Sequence, residues 1–258
     1  MKIEQADRVR DWFSMYVGTF RAAGYGQLDN ISLKENHCRR VSREISGLGA
    51  ELGLDESELN LAEVIGLLHD VGRFEQYSRH GTFVDALSVN HARLGSRIIE
   101  NSGILEEIEP FEKEIIHRAI INHSGLRVPP HEDERPAFFS RLLRDADKLD
   151  IWKVMLDYYS GGGGENDAVG LNLPPEGEVS EEVLEDLYAA RPVDASNLRN
   201  QNDFKLLQIG WIYDINFAPA MLRVLERGYL ERLAALLPES EEVKEAVNAA
   251  IEEARRRC

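Results

Sequence analysis

Six side chains that can bind metal occur within otherwise apolar segments of the sequence. Most have aliphatic neighbours three or four positions away, so a helix would turn them towards the interior. His37, for example, shares such a face with Val41 and Ile45, and Asp147 lies four residues from both Leu143 and Ile151. The six residues are His37, His69, Asp70, His91, His123 and Asp147.

Burying an imidazole or a carboxylate without a polar partner is costly. One inward histidine is ordinarily a hydrogen-bonded core residue, and one inward aspartate is ordinarily a cap or an ion-pair partner. Six that converge from several helices are better explained by metal binding. Histidine and carboxylate ligands together suit divalent ions such as Fe, Mn, Ni, Co, Mg or Zn. Six ligands exceed what one open catalytic ion needs, so we expect one or two ions, two of them sharing a bridging carboxylate.

The elements that position these residues are predicted to be helices, because the hydrophobic periodicity is helical nearly throughout. The sequence from Ser32 to Glu35 resembles a capping box that opens a helix running to Leu48. Asp55 is predicted to open the next helix, and Gly72 to end it. Further helical patterns cover residues 85–101, 106–124, 136–159, 180–190, 197–228 and 239–257. An all-α fold is therefore predicted.

A segment rich in glycine and proline, residues 160–178, separates two helical regions. Loops of this length are typically functional lids or partly disordered. We predict a helical catalytic core with its N-terminal helix over residues 1–159, and a C-terminal helical extension that packs on it over residues 179–258.

Composition narrows the class of protein. The 258 residues carry a net charge of −16, which argues against nonspecific nucleic-acid binding because that needs a basic face. Cys38 and Cys258 are the only cysteines, too few for a disulfide framework or a thiolate zinc cluster. No apolar run is long enough to span a bilayer, and the N-terminus lacks the apolar region of a secretory signal. We expect a cytoplasmic protein without membrane contact. The sequence leaves open whether the protein forms an oligomer.

The order of His37, His69-Asp70 and Asp147 resembles the HD-domain superfamily of metal-dependent phosphohydrolases. The surrounding segments are also similar, from Gly66 to Arg73 and from Arg144 to Asp150. The segments Asn90–Gly95 and Ile120–His123 resemble those carrying the two extra histidines of the binuclear branches. The resemblance covers about residues 33–153 and implies an all-helical HD bundle with additional C-terminal helices.

The resemblance also implies a role for each matching residue. The first ion would be held by His37, His69, Asp70 and Asp147. The second would be completed by His91 and His123, with Asp70 as the bridge. A water activated by the ions would attack phosphorus.

Two further residues are candidate substrate contacts. Arg73 stands where many relatives carry lysine, and would hold a phosphoryl oxygen and offset developing charge. His80, in the predicted loop before the His91 helix, is near enough in sequence to reach substrate.

The function expected from these features is hydrolysis of a phosphate ester or anhydride of a nucleotide or small phosphorylated metabolite. The paired histidines and Gly-Tyr-Pro motif of cyclic-dinucleotide phosphodiesterases are absent, because Asn122-His123 is followed by Ser124. Two alternatives remain open, a di-iron oxygenase with the same ligands and a non-catalytic nucleotide-sensing module. The acidic charge does not exclude an anionic substrate, since residues 33–153 carry only −6 and two divalent ions would reduce this to −2.

Overall fold

The computed structural model describes residues 1–22, 28–161, 170–171, 173–175 and 177–258. These residues are helical or irregular, with no strand among them, and the predicted all-α class is confirmed. They divide into two compact units, Met1–Asp150 and Ile151–Cys258. Most of the predicted loop 160–178 lies outside the described residues, and the predicted division at residues 159 and 179 stays a prediction.

The first unit contains all six candidate ligands. Its helices are α1 (Ile3–Ala22), α2 (Leu28–Glu51), α3 (Glu56–Leu68), α4 (Val71–His80), α5 (His91–Ser102), α6 (Pro110–His123) and α7 (Glu134–Tyr159), whose last residues belong to the second unit. Helix α2 packs along α3, α4 packs on α5, and α6 contacts both α3 and α5.

The second unit, after the end of α7, contains α8 (Glu181–Tyr188), α9 (Gln201–Gly210), α10 (Ala218–Glu226), α11 (Tyr229–Ala234) and α12 (Glu241–Arg256). Helix α12 packs against α8. The buried Trp152 donates its indole N–H to the Gln208 carbonyl at 3.0 Å and stacks on Tyr229. The predicted helical pattern at 197–228 is broken by a 3₁₀ turn at Trp211–Asp214.

Within the described residues, no helix combines the length and the apolar character that crossing a membrane requires.

The predicted start of α3 is confirmed and that of α2 is wrong. The Asp55 carboxylate accepts from the Glu58 N–H at 2.9 Å, and Glu58 reaches back to the Asp55 N–H, as a capping box requires. Helix α2, however, begins at Leu28, four residues before Ser32. Glu35 is not part of a cap, because its carboxylate pairs with the Arg39 guanidinium at 2.9 Å.

The prediction that Gly72 ends a helix is wrong. Gly72 is the second residue of α4. The reason for glycine is a close approach of two backbones. A Cβ atom at Gly72 would lie 2.1 Å from the His91 carbonyl oxygen and 2.7 Å from the Gly95 nitrogen of α5. Gly66 of α3 is equally confined, since its Cβ atom would lie 2.8 Å from the Ser42 Cα atom of α2. The helices that carry the candidate ligands therefore meet where side chains are absent.

We predict that Gly72→Ala lowers the free energy of unfolding by about 1–3 kcal/mol, because the added methyl group forces α4 and α5 apart. Gly18→Ala is the matched control, since Gly18 lies within α1 and a Cβ atom there meets nothing within 4 Å. The control should gain roughly 0.5–1 kcal/mol from helix propensity. Urea unfolding of both variants measures the difference, and equal effects would contradict the close-approach explanation.

Candidate metal centre

The six predicted ligands come from several helices of the first unit and meet in one cluster. His37 lies within α2, Asp147 within α7, His91 begins α5 and His123 ends α6. His69 and Asp70 form the short link between α3 and α4. Asp70 has φ −107° and ψ 16°, in the bridge region that active-site residues often occupy, and its side chain makes no helix cap.

Four of the residues form a first group around one oxygen of Asp70. The Nε2 atom of His37 lies 3.1 Å from Asp147 Oδ1 and 3.2 Å from His69 Nε2. Both imidazole Nε2 atoms are 3.7 Å from Asp70 Oδ2. Asp147 is the most accessible member, with 17% of its side chain exposed, although its Oδ1 atom at the cluster is buried.

The second oxygen of Asp70 faces a second group. Asp70 Oδ1 lies 3.3 Å from His91 Nε2 and 3.8 Å from His123 Nε2, and those two nitrogens are 3.1 Å apart. Each carboxylate oxygen of Asp70 thus points to its own pair of histidines. The groups are also adjacent, since ligand atoms of His69, His123 and Asp147 lie within 4.8 Å of one another.

These separations match those of atoms that bind a common ion. With metal–ligand bonds of roughly 2.1 Å and angles between about 90° and 130°, two ligand atoms lie roughly 3.0–3.8 Å apart. Almost all the distances within both groups fall in that range.

Two of the histidines are fixed by backbone carbonyls of their own helices. His69 Nδ1 lies 2.8 Å from the Gly66 oxygen, and His123 Nδ1 lies 2.5 Å from the Ile120 oxygen. Because a carbonyl oxygen only accepts, each Nδ1 atom carries the proton. In the neutral form of each ring, the Nε2 atom therefore presents its lone pair to the cluster.

The other two histidines are fixed by carboxylates, and each carboxylate is paired with an arginine. His91 Nδ1 donates to Asp85 at 2.8 Å, and Arg73 Nη1 donates to the same carboxylate at 2.9 Å. His37 Nδ1 donates to Asp150 at 2.7 Å. Arg40 binds both oxygens of Asp150, at 2.6 and 2.9 Å. These acceptors fix the tautomer and orientation of the rings, as partners of metal-binding histidines commonly do.

The resulting arrangement is complementary to cations. Four Nε2 lone pairs converge, and two of the carboxylate oxygens beside them, Asp70 Oδ1 and Asp147 Oδ1, are buried without a hydrogen-bond donor. Facing lone pairs and carboxylates repel one another unless protons or metal ions lie between them. The donor set of imidazole and carboxylate therefore fits divalent metal ions.

The electrostatic environment keeps His91 neutral. Burial disfavours its charged form and the nearby Arg73 guanidinium acts in the same direction, so the pKa of His91 is lowered to about 3 despite the bond to Asp85. Burial alone would raise the pKa of Asp85, but the hydrogen bond from His91 outweighs it and lowers that pKa to about 2. His91 is thus already in the protonation state that binds metal.

His37 behaves differently. Burial lowers its pKa, but the adjacent carboxylates of Asp147 and Asp150 outweigh this effect, and the pKa of His37 is raised above its usual value. The pKa of Asp147 is held well below its usual range, against burial, by His37 and His69. Without metal, a proton on His37 is one way to satisfy Asp147, and an ion in the first group must displace it.

The predicted substrate contacts are placed differently from the ligands. Arg73 lies at the cluster, where its Nη1 atom also donates to Gln76 and to the Phe83 carbonyl, and its Nε atom is 3.4 Å from Asp70 Oδ1. His80 is the exposed last residue of α4 rather than part of a loop. At about 1.5 Å per residue, it lies roughly 14 Å along the helix from Val71. Its role as a substrate contact stays a prediction.

Sequence reasoning did not assign two positioning residues. Asp150 was given no role of its own, although its spacing of three residues from Asp147, with Arg40 three residues after His37, was a usable signal. Arg144 donates to the His123 carbonyl at 2.8 Å and to the Leu126 carbonyl at 3.0 Å. It thereby binds the carbonyl end of α6 where His123 must be held, a role that has no local sequence signature.

Comparison with known proteins identifies this part of the chain. The HD domain family matches residues 35–152, a range that includes all six candidate ligands. No curated protein and no solved structure matches the chain. The resemblance inferred from the sequence is therefore confirmed over residues 35–152, as a match to the HD domain family with a His/Asp cluster compatible with a metal site. HD domains belong to a superfamily composed mostly of metal-dependent hydrolases.

Asp85 and Asp150, which accept hydrogen bonds from His91 and His37, are called the carboxylate tethers. We predict that each tether affects the binding of one ion. Asp150→Asn should weaken the ion of the His37 group, and Asp85→Asn that of the His91 group, each by about 10–100-fold. Titration of the metal-free protein with Mn²⁺, with elemental analysis, measures both affinities. Asp157→Asn is the control, since that exposed carboxylate pairs only with Lys153 in the described contacts. Loss of both ions in each variant, or of neither, would contradict this division.

We also predict that acidification releases the ion of the His37 group first. The raised pKa of His37 means that protons compete with metal as the pH falls, whereas His91, with its pKa near 3, stays neutral. Two variants measure the two affinities separately. His91→Ala retains the His37 group, and His37→Ala retains the His91 group. Mn²⁺ binding should fall more steeply between pH 7.5 and 5.5 in His91→Ala. Equal slopes, or the reverse order, would show the assignment to be wrong.

Proposed function

We propose that the protein hydrolyses a phosphate ester or anhydride of a nucleotide or another small phosphorylated metabolite. The observation that carries the proposal is the placement of Asp70, whose two oxygens each face a separate pair of histidines. Such an arrangement suits two ions with one bridging ligand, the design by which many hydrolases act on phosphorus. The HD domain supports the same class of reaction.

In the proposed reaction the first ion would be held by His37, His69, Asp70 and Asp147, and the second by Asp70, His91 and His123. When bound, the ions would activate a water for attack on phosphorus and stabilise the phosphoryl oxygens. The residues of the chain hold this centre rigid: all the ligands except Asp147 are buried. Because the Asp147 side chain is partly exposed, we place the approach of the substrate on the Asp147 side of the cluster.

Arg73 has two parts in this proposal. Its Nη1 atom fixes Asp85, and through it the ring of His91. Its Nε atom is buried, lies beside the bridging carboxylate and has no hydrogen-bond acceptor in the described structure. That N–H group is available to a phosphoryl oxygen, and the guanidinium charge offsets the charge that develops there.

A metal-loaded preparation, tested on phosphomonoesters, phosphodiesters and nucleoside phosphates, should release phosphate or a nucleotide product. Asp70→Asn should lower kcat/KM by about 1,000-fold, because losing the bridging charge affects both ions. The exposed carboxylate variant Asp157→Asn is the control and should retain activity. A wild-type protein that binds no divalent metal would overturn the proposal.

The same preparation separates the two alternatives. Oxygen uptake by the iron-loaded protein with a reduced organic substrate, without hydrolysis, would favour an oxygenase. Tight nucleotide binding with no product after long incubation would favour a sensing module.

A further inference from the structure

A second cation, Lys34 of α2, lies at the metal cluster and was not among the predicted site residues. Its Nζ atom is 2.8 Å from Asp70 Oδ2, the oxygen that faces the His37 group. It also lies 5.3 Å from the centre of the Phe83 ring. Its side chain is 19% exposed, so Lys34 is partly accessible to solvent, whereas the Asp70 side chain is 3% exposed.

Lys34 and Arg73 are placed on opposite oxygens of Asp70 but are held very differently. Arg73 is anchored through Nη1 to Asp85, Gln76 and the Phe83 carbonyl. The Lys34 side chain has one described hydrogen bond, the bond to Asp70. Lysine has a flexible stem and an ammonium with three donors, so it can exchange one acceptor for another. Of the two cations, Lys34 is the one that can move.

Metal binding removes the reason for Lys34 to remain on Asp70. The oxygen that accepts its hydrogen bond is the one that the first ion needs. An ammonium group and a divalent ion on the same oxygen repel each other at short range. The displaced ammonium stays tethered to α2, only three residues before His37, and therefore remains beside the ions. The species that would satisfy it there is an anion.

We propose that Lys34 is a substrate-binding residue that Asp70 holds until an ion binds, and that then binds an anionic oxygen of the phosphorylated substrate. The inference rests on the proposed function, because it assigns part of the recognition of the same substrate. Its two halves are a competition between Lys34 and metal for Asp70, and a contact between Lys34 and phosphate in the metal-loaded protein.

The test uses the full chain and two probes, Mn²⁺ for the metal site and inorganic phosphate for the substrate site. Lys34→Met removes the charge and keeps an unbranched side chain. In the metal-free protein the variant lacks the charged hydrogen bond from Lys34 to Asp70, so Mn²⁺ should bind the variant about 10-fold more tightly than it binds wild type. Phosphate should bind the Mn²⁺-loaded variant about 10-fold more weakly than wild type. Calorimetric titration measures both without any turnover.

Two further variants separate a specific role from general disruption. Lys34→Arg keeps the charge and should retain phosphate affinity within a few-fold of wild type. Lys244→Met, which removes an exposed lysine paired with Glu241, should change neither affinity. Circular dichroism and thermal unfolding establish that each variant is folded.

Either half can overturn the proposal. Unchanged or weaker Mn²⁺ binding by Lys34→Met would show that Lys34 does not compete with metal. Unchanged phosphate affinity would show that it does not bind substrate. Both measurements are independent of hydrolysis, so a protein without hydrolytic activity whose Lys34 variant shows both shifts would contradict the reaction and leave the role of Lys34 intact.

Discussion

The first unit of this protein is organised around four imidazole rings whose Nε2 lone pairs are made to face one another. Each ring is fixed from behind: two by carbonyl oxygens of their own helices and two by the carboxylates of Asp85 and Asp150. Because every Nδ1 atom donates a hydrogen bond, a ring cannot turn its other nitrogen inward without losing a buried partner. The repulsion among the lone pairs and the nearby carboxylates is relieved by protons or metal ions, so the requirement for cations between the rings follows from the hydrogen bonding of the scaffold.

The backbone meets this requirement through close approaches. The link from His69 to Asp70 must present two adjacent side chains to ligands carried by other helices, which brings α3 close to α2 and α4 close to α5. Gly66 and Gly72 stand at these contacts, where a Cβ atom would collide with main-chain atoms. The adjacency of the ligand pair in the sequence thus dictates where glycine is needed. The packing of α4 on α5 also sets the geometry of the candidate metal site, because separating these helices would move His91 away from Asp70.

Much of this could be predicted from the sequence, for identifiable reasons. Helical periodicity is a local property, and it placed His37 and Asp147 on inward faces of long helices. The Asp55 cap is likewise local and was found, whereas the Ser32 pattern was misleading because Glu35 pairs with Arg39 inside α2. What sequence could not supply were contacts between distant segments. The approach of α4 to α5 at Gly72, and the binding of Arg144 to the carbonyl end of α6, depend on elements that meet only in the folded chain.

The same contacts explain how an acidic chain can present a site for an anion. The negative charges of Asp85 and Asp150 are matched by the arginines that bind them, so the two carboxylate tethers leave no net charge near the cluster. Of the ligands, only Asp70 and Asp147 are anionic, and two divalent ions would more than neutralise them. The excess acidity of the chain, −16 overall, therefore lies outside this arrangement. Local pairing, rather than the total charge, determines what the site attracts, so the acidity of the chain is compatible with the proposed phosphate substrate.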